Sequence, residues 1–263
     1  MPADDALLNR ARKDLEIEQE RYTLEKLINS DPVRILATDQ LTGQQVFIKQ
    51  QILDIKSEDE RTEVKRELAT LAQLAHPNII RMHKHIFVRN KKTVYQVMDF
   101  FERQTLADFA ENLPEKGNHF GTYTELTRQL LEGIMEVHKQ DLIHRDIKPG
   151  NILVRQTDTA GLELKIVDFG LSVKINTAYS KTYGTPGYMA PEIATGAKAD
   201  ARTDIFSLGV TLYDLVSGNL RKGSLLDAET LAVKLAKAVT EDEVKALCVI
   251  DSKSLHDVPE QYR

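Results

Sequence analysis

Apolar residues recur at three- and four-residue spacing in three long stretches and form short runs elsewhere. Leu126, Leu130, Ile134 and Val137 make one stripe of helical period. Val64, Leu68, Leu71 and Leu74 make another, opened by Ser57 and Glu60 as a capping box and ended by His76-Pro77-Asn78. The third stretch, Asp204 to Val216, is apolar almost all round and stops at Gly218, which predicts a helix at the centre of a domain. Residues 5–22 read as a charged lead-in helix resting on the domain, with Leu8, Leu15 and Tyr22 spaced by sevens. A helix that binds a partner is the second reading of that segment.

From Tyr22 onward the pattern turns to strands. Short runs lead through a turn at Leu41-Thr42-Gly43 to a strand over Gln45–Gln50. Strand side chains alternate, so Phe47 and Lys49 share one face while Val46 and Ile48 share the other. A lysine beside a phenylalanine marks the first of these faces as one that lines a cleft. Runs around Ile79–Val88 and Thr93–Phe101 predict two more strands, joined by the basic tip Arg89-Asn90-Lys91-Lys92. A hairpin follows with its turn near Thr157–Gly161. Residues 227–239 and 240–250 read as two further helices, the second opened by Thr240 and Glu243.

With 263 residues the chain can bury a full core, in one large domain or two lobes. The formal net charge of -5 argues against a nucleic-acid or anionic-membrane binder. One cysteine, Cys248, rules out an internal disulfide framework and fits a reducing compartment. The start, Met1-Pro2-Ala3-Asp4-Asp5, lacks the layout of a signal peptide, and no apolar run approaches the ~20 residues that span a bilayer. A soluble, cytoplasmic protein is the expectation.

The chemistry is concentrated in Leu142-Ile143-His144-Arg145-Asp146-Ile147-Lys148-Pro149-Gly150-Asn151. Asp146, Lys148 and Asn151 stand on one short loop, and Pro149 and Gly150 stop it from continuing as helix or strand. An acid for a hydroxyl proton, a cation for a phosphate and an amide oxygen for a metal are what phosphoryl transfer needs. A polar turn between two buried segments is the bland alternative.

Four further motifs stand in order around that loop. They are Val46-Phe47-Ile48-Lys49, Glu67 on the helix after it, Val167-Asp168-Phe169-Gly170, and Gly184-Thr185-Pro186-Gly187-Tyr188-Met189-Ala190-Pro191-Glu192. From about Tyr22 to Gly218 the chain resembles the eukaryotic-type Ser/Thr protein kinases. The resemblance implies an α+β, bilobal protein-kinase-like fold: after the lead-in helix over 1–21, a sheet-rich N-lobe over 22–98, and a hinge with a mostly helical C-lobe over 99–263, shortened after 218. It implies that Asp146 positions or deprotonates the substrate hydroxyl and that Lys148 neutralises the transferring phosphoryl group. Asn151 and Asp168 would hold Mg2+, and Lys49 with Glu67 would fix the phosphate tail of ATP. Asp99, Phe101 and their neighbours match the hinge that hydrogen-bonds adenine, with Met98 gating the pocket behind it. Asp204 would accept backbone N–H groups of the catalytic loop. A protein hydroxyl is the implied substrate, and Lys148 with Thr185 resembles the Ser/Thr type.

Two positions depart from the family. Where a glycine-rich turn should cover the phosphates, the chain has Ile28-Asn29-Ser30-Asp31-Pro32-Val33-Arg34, glycine-free and two or three residues short. Phe47 replaces a small alanine, so its ring either narrows the adenine pocket or stacks on the base, obstruction being the expectation. A binding or scaffolding module of pseudokinase type therefore stands as the alternative to an active enzyme. A kinase fold that attaches some other group from ATP is a third reading. After Gly218 the resemblance fades, and no arginine convincingly matches the family's partner for Glu192. A clipped chain, a compact kinase, or a C-lobe completed or regulated by a partner protein would each account for this. Ser180 and Thr182 are the expected phosphorylation sites of a switch over Ser172–Tyr183, with Arg145 as the phosphate's partner.

Overall fold

A computed structural model describes residues 2–15, 20–53, 57–88, 92–102, 104–114, 119–157, 161–174, 184–194 and 196–218. The chain divides into two compact units, Met1–Ala75 with Ile80–Phe101, and His76–Ile79 with Glu102–Arg263. The helices expected over 227–250 and the tip at 89–91 lie outside the described residues.

The first unit is built on a five-stranded antiparallel sheet. Its strands are β1 (Tyr22–Ser30), β2 (Val33–Asp39), β3 (Gln44–Ile52), β4 (Met82–Phe87) and β5 (Thr93–Asp99), in the order β1-β2-β3-β5-β4. Period-two patterning decides which face is dry. Val33, Ile35 and Ala37 of β2, Val46 and Ile48 of β3, and Tyr95 and Val97 of β5 all enter one core. Helix α1 (Pro2–Asp14) covers that core, with Ala11 and Leu15 buried in it and Leu7 and Leu8 packed at its edge. Leu8, Leu15 and Tyr22 do share one core, but Tyr22 opens β1 and is not helical. The sevens arise because helix and strand deliver their apolar residues to the same cluster. The Tyr95 hydroxyl donates to Asp14 Oδ2 at 3.2 Å and accepts from Gln50 Nε2 at 2.9 Å, pinning the end of α1 to β3 and β5. Helix α2 (Glu58–Leu71) begins directly after Ser57, and its Leu68 and Leu71 are buried, as is Leu74 beyond it. Arg61 and Lys65 stand over the ring of Phe87 on β4.

The second unit is organised by α4 (Phe120–Lys139), whose expected stripe Leu126, Leu130, Ile134 and Val137 is fully buried. The short strands β6 (Gln104–Thr105), β8 (Ile152–Gln156) and β9 (Leu162–Ile166) form one sheet, and β6 leads into α3 (Leu106–Asn112). Gln129 on α4 accepts from Asn78 Nδ2 at 2.8 Å and from the backbone N–H of Leu164 at 2.9 Å, tying the 76–79 segment to β9. Gly133 lets the helix pack closely there: a Cβ would come within 2.7 Å of Ile166 Cδ1, so that side chain would have to shift. After the short helix α5 (Pro191–Ala194), helix α6 (Ala201–Ser217) starts from an Asp200 capping box and stops at Gly218, which takes the left-handed conformation at φ 74°. It is not buried on every face. Ile205 is 51% exposed and Gly209 is exposed, so one strip of the helix stays outside the core.

Candidate active site

The loop that carries Asp146 is held from beneath. Strand β7 (Leu142–Ile143) pairs with β10 (Val173–Lys174) and delivers His144 and Arg145 into the interior. The buried carboxylate of Asp204, at the first turn of α6, accepts the N–H of His144 at 2.9 Å and of Arg145 at 2.8 Å. His138 Nε2 lies 2.9 Å from the same carboxylate. These contacts hold Arg145 at φ 64°, a conformation that costs a non-glycine residue about 1–3 kcal/mol. His144 Nε2 meets the carbonyl of Val167 at 3.0 Å, and its ring packs edge-on against Phe169 at 4.7 Å. The loop and the Asp168 segment are thereby joined.

Asp146 is the hub of what the loop presents. Its Oδ2 meets Lys148 Nζ at 2.9 Å and Asn151 Nδ2 at 2.8 Å. Its Oδ1 accepts the hydroxyl of Thr185 at 2.7 Å, and Thr185 in turn accepts from Lys148 Nζ at 2.5 Å. Each group fixes the next, so the carboxylate has one orientation. Asn151 ends a 3₁₀ turn over Pro149–Asn151, and its carbonyl accepts the N–H of Val167 at 3.0 Å. Asp168 follows in the left-handed region at φ 65°, its Oδ1 accepting from Gly170 N at 3.4 Å.

The first unit presents Lys49 on the sheet face opposite the α1 core. Phe47 shares that face, as alternation predicts, while Val46 and Ile48 are buried on the other. Lys49 pairs across the ladder with Arg34 on β2 and Gln96 on β5. Phe47 pairs with Leu36 and Met98 in the same way. Met98 and Phe101 are buried, and Asp99 receives His83 Nε2 at 2.6 Å. The covering turn is reduced to Asp31 and Pro32, because Ser30 already pairs with Val33 and Asn29 with Arg34. The N–H of Asp31 goes to Asn29 Oδ1 at 3.1 Å, so this turn has little backbone left to offer a phosphate. Glu67 lies on α2, but its side chain and residues 175–183 are outside the described residues.

The donors suit Mg2+ delivered with a nucleotide. Asn151 spends its amide nitrogen on Asp146, which leaves the amide oxygen as a hard donor, and Asp168 adds a carboxylate. Among the described residues no cluster of three His, Cys, Asp or Glu is placed to cage a metal. Mg2+ characteristically takes one or two carboxylates and completes its shell with phosphates and water.

Residues 33–250 match the family described as protein kinase domain. The chain belongs to the protein kinase family. This kinase is 32% identical to "CBL-interacting protein kinase 15" of Oryza sativa subsp. japonica over 221 residues, covering 78% of the chain and 47% of that relative. It is 33% identical over 224 residues to "Cytokinesis protein sepH" of Aspergillus niger, covering 82% of the chain and 16% of that protein. It is 35% identical over 164 residues to "Calcium/calmodulin-dependent protein kinase kinase" of Caenorhabditis elegans, covering 60% of the chain and 29% of that protein. The chain thus spans less than half the length of each of these relatives. The family match begins at Val33, directly after the Asp31-Pro32 turn, so α1, β1 and that turn lie outside it.

The kinase structure adds contacts that motif reading missed. Thr185 bridges Asp146 and Lys148, a link 39 residues long in sequence from Thr185 to Asp146. Glu192, for which no arginine was found, accepts the hydroxyl of Thr203 at 2.7 Å. Tyr188 OH donates to the buried Asp214 on α6 at 2.8 Å, and Ser207 donates to the Tyr188 carbonyl at 2.7 Å. A hydroxyl in the Gly-Thr-Pro motif was a visible signal; its partners were not.

Proposed function

We propose that the chain is an ATP-dependent Ser/Thr protein kinase that transfers the γ-phosphoryl group to a protein hydroxyl. The observation that carries this reading is the Asp146 carboxylate, oriented at once by Lys148, Asn151 and Thr185. Asn151 and Asp168 would hold Mg2+, which when bound would neutralise charge on the phosphates. Asp146 orients the attacking hydroxyl and accepts its proton, while Lys148 stabilises negative charge beside it. Lys49 would supply a further cation for the phosphate tail of ATP. Little covalent work falls to the protein, so positioning and electrostatics account for the rate. Relatives whose names read protein kinase support a protein substrate, and a soluble cytoplasmic setting accords with this reading.

The test is transfer of radiolabelled γ-phosphate to a generic Ser/Thr protein substrate with Mg2+, in wild type and in Asp146→Asn, Asp168→Ala and Lys49→Met. Each substitution should abolish transfer with the melting temperature nearly unchanged, because none of the three sits in a packing stripe. Transfer that persists in Asp146→Asn would sink the reading. A wild type that binds ATP without turnover would establish the binding-module alternative.

A further inference from the structure

The face of the first unit that carries Lys49 is sorted into two rungs. One rung is apolar: Leu36, Phe47 and Met98 lie side by side across β2, β3 and β5. The next, two residues along each strand, is polar and basic: Arg34, Lys49 and Gln96. Directly paired residues of an antiparallel ladder project from the same face with Cβ atoms about 4.5–5.5 Å apart. Successive same-face rungs are separated by roughly 7 Å, two residues of strand. The burial pattern of β2 agrees, since Val33, Ile35 and Ala37 enter the α1 core while Arg34 and Leu36 are half-buried on the opposite side.

Two cations placed opposite each other on a ladder repel and destabilise the pair unless an anion lies between them. Arg34 makes no hydrogen bond or ion pair with any side chain among the described residues. Arg34 is therefore a half-buried residue whose five guanidinium N–H donors remain available to a ligand. The turn preceding it is only Asp31 and Pro32, and its backbone N–H groups are absent at Pro32 or already used at Asp31. The phosphate-binding capacity that such a turn normally draws from its backbone is missing just before Arg34, the second residue of β2.

We infer that Arg34 is a phosphate-binding residue of this chain, acting with Lys49 as a two-cation clamp on the polyphosphate of a nucleoside triphosphate in place of a glycine-rich turn. This rests on the kinase reading above and adds a residue to it. The planar fork of arginine suits two phosphate oxygens at once, whereas the lysine ammonium acts as a point charge. The rung order selects the ligand class: an apolar ring against Phe47 and Met98, and a polyanion about 7 Å away at Arg34 and Lys49. Free phosphate would use only the second rung and a nucleoside only the first.

Calorimetric titration of ATP and of adenosine, each with Mg2+, into wild type, Arg34→Ala, Arg34→Gln and Arg34→Lys tests the assignment. Arg34→Ala and Arg34→Gln should weaken ATP by roughly 10- to 100-fold, the worth of charged hydrogen bonds, and leave adenosine unchanged. Arg34→Lys should recover part of the loss, since it restores charge without the fork. Arg34→Gln keeps most of the side-chain stem, so it separates lost charge from lost packing if the alanine variant folds poorly. ATP affinity unchanged or improved in the two neutral variants would overturn the clamp. Equal losses for ATP and adenosine would overturn it as well, by showing that Arg34 only shapes the face. A wild type that binds neither ligand would instead bring down the nucleotide reading itself, and the clamp with it.

Discussion

Asp204 holds Arg145 by its backbone: the buried carboxylate of α6 accepts the Arg145 N–H at 2.8 Å while its other oxygen accepts the N–H of His144. The Asp146 loop thus depends on a side chain 59 residues away in sequence. Asp204→Ala would leave two buried amides unpaired, at about 1–3 kcal/mol each. The variant should melt well below wild type and lose phosphoryl transfer, while Asp204→Asn, which keeps one acceptor, should fall between. Denaturant titration of the three proteins checks this; an alanine variant as stable as wild type would show that the amides find other partners.

Thr185 offers a sharper separation of activity from stability. Its hydroxyl links Asp146 Oδ1 to Lys148 Nζ, so Thr185→Val removes the link at constant shape. A drop in kcat of roughly 10- to 100-fold is expected from the freed carboxylate. Thr185→Ser should stay within a few-fold of wild type, and both should melt near it. Equal kcat for valine and serine variants would dismiss the bridge.

Helix α1 is expected to be part of the first unit's stability. Leu15 is 3% exposed in the core shared with Tyr95 and Ile48, and Leu→Ala changes at such sites cost about 2–5 kcal/mol. Tyr95→Phe should cost less, about 1 kcal/mol, by removing the hydroxyl between Asp14 and Gln50. Urea unfolding of Leu15→Ala and Tyr95→Phe gives both values. No loss in Leu15→Ala would mean that α1 contributes nothing to the fold.

His85 on β4 predicts acid sensitivity. Burial lowers its pKa to about 4, and its Nε2 is buried with no hydrogen-bond partner among the described residues. Above pH about 6.5 the imidazole is neutral whether the chain is folded or not, and stability is unaffected. Between there and pH 4 the unfolded chain takes up a proton that the folded chain refuses, so stability falls with falling pH and levels off below 4. The loss is at most about 3 kcal/mol, from 1.36 kcal/mol per pKa unit. His85→Leu should flatten the Tm profile from pH 7 to 4 relative to wild type; parallel profiles would acquit His85.

Whatever depends on spacing within one element was legible in the chain itself. Alternation put Phe47 and Lys49 on one face of β3, a helical stripe put Leu126 through Val137 in the core, and Gly218 marked the stop of α6. The short polar loop around Asp146 was readable because its acid, cation and amide all lie within six residues. The 3.6 and 2.0 periods are local geometry, and local geometry needs no knowledge of the rest of the fold. The remaining features depend on which distant segments meet. Arg34 looked like part of a loop and became the neighbour of Lys49 only through the register of β2 on β3, set by the turn that joins them. Thr185 looked like a motif letter and became the brace of Asp146, and Asn78 reached Gln129 across 51 residues. Even the one apparent all-round apolar helix kept Ile205 exposed, because how many sides of α6 are covered is decided by its neighbours and not by its own composition.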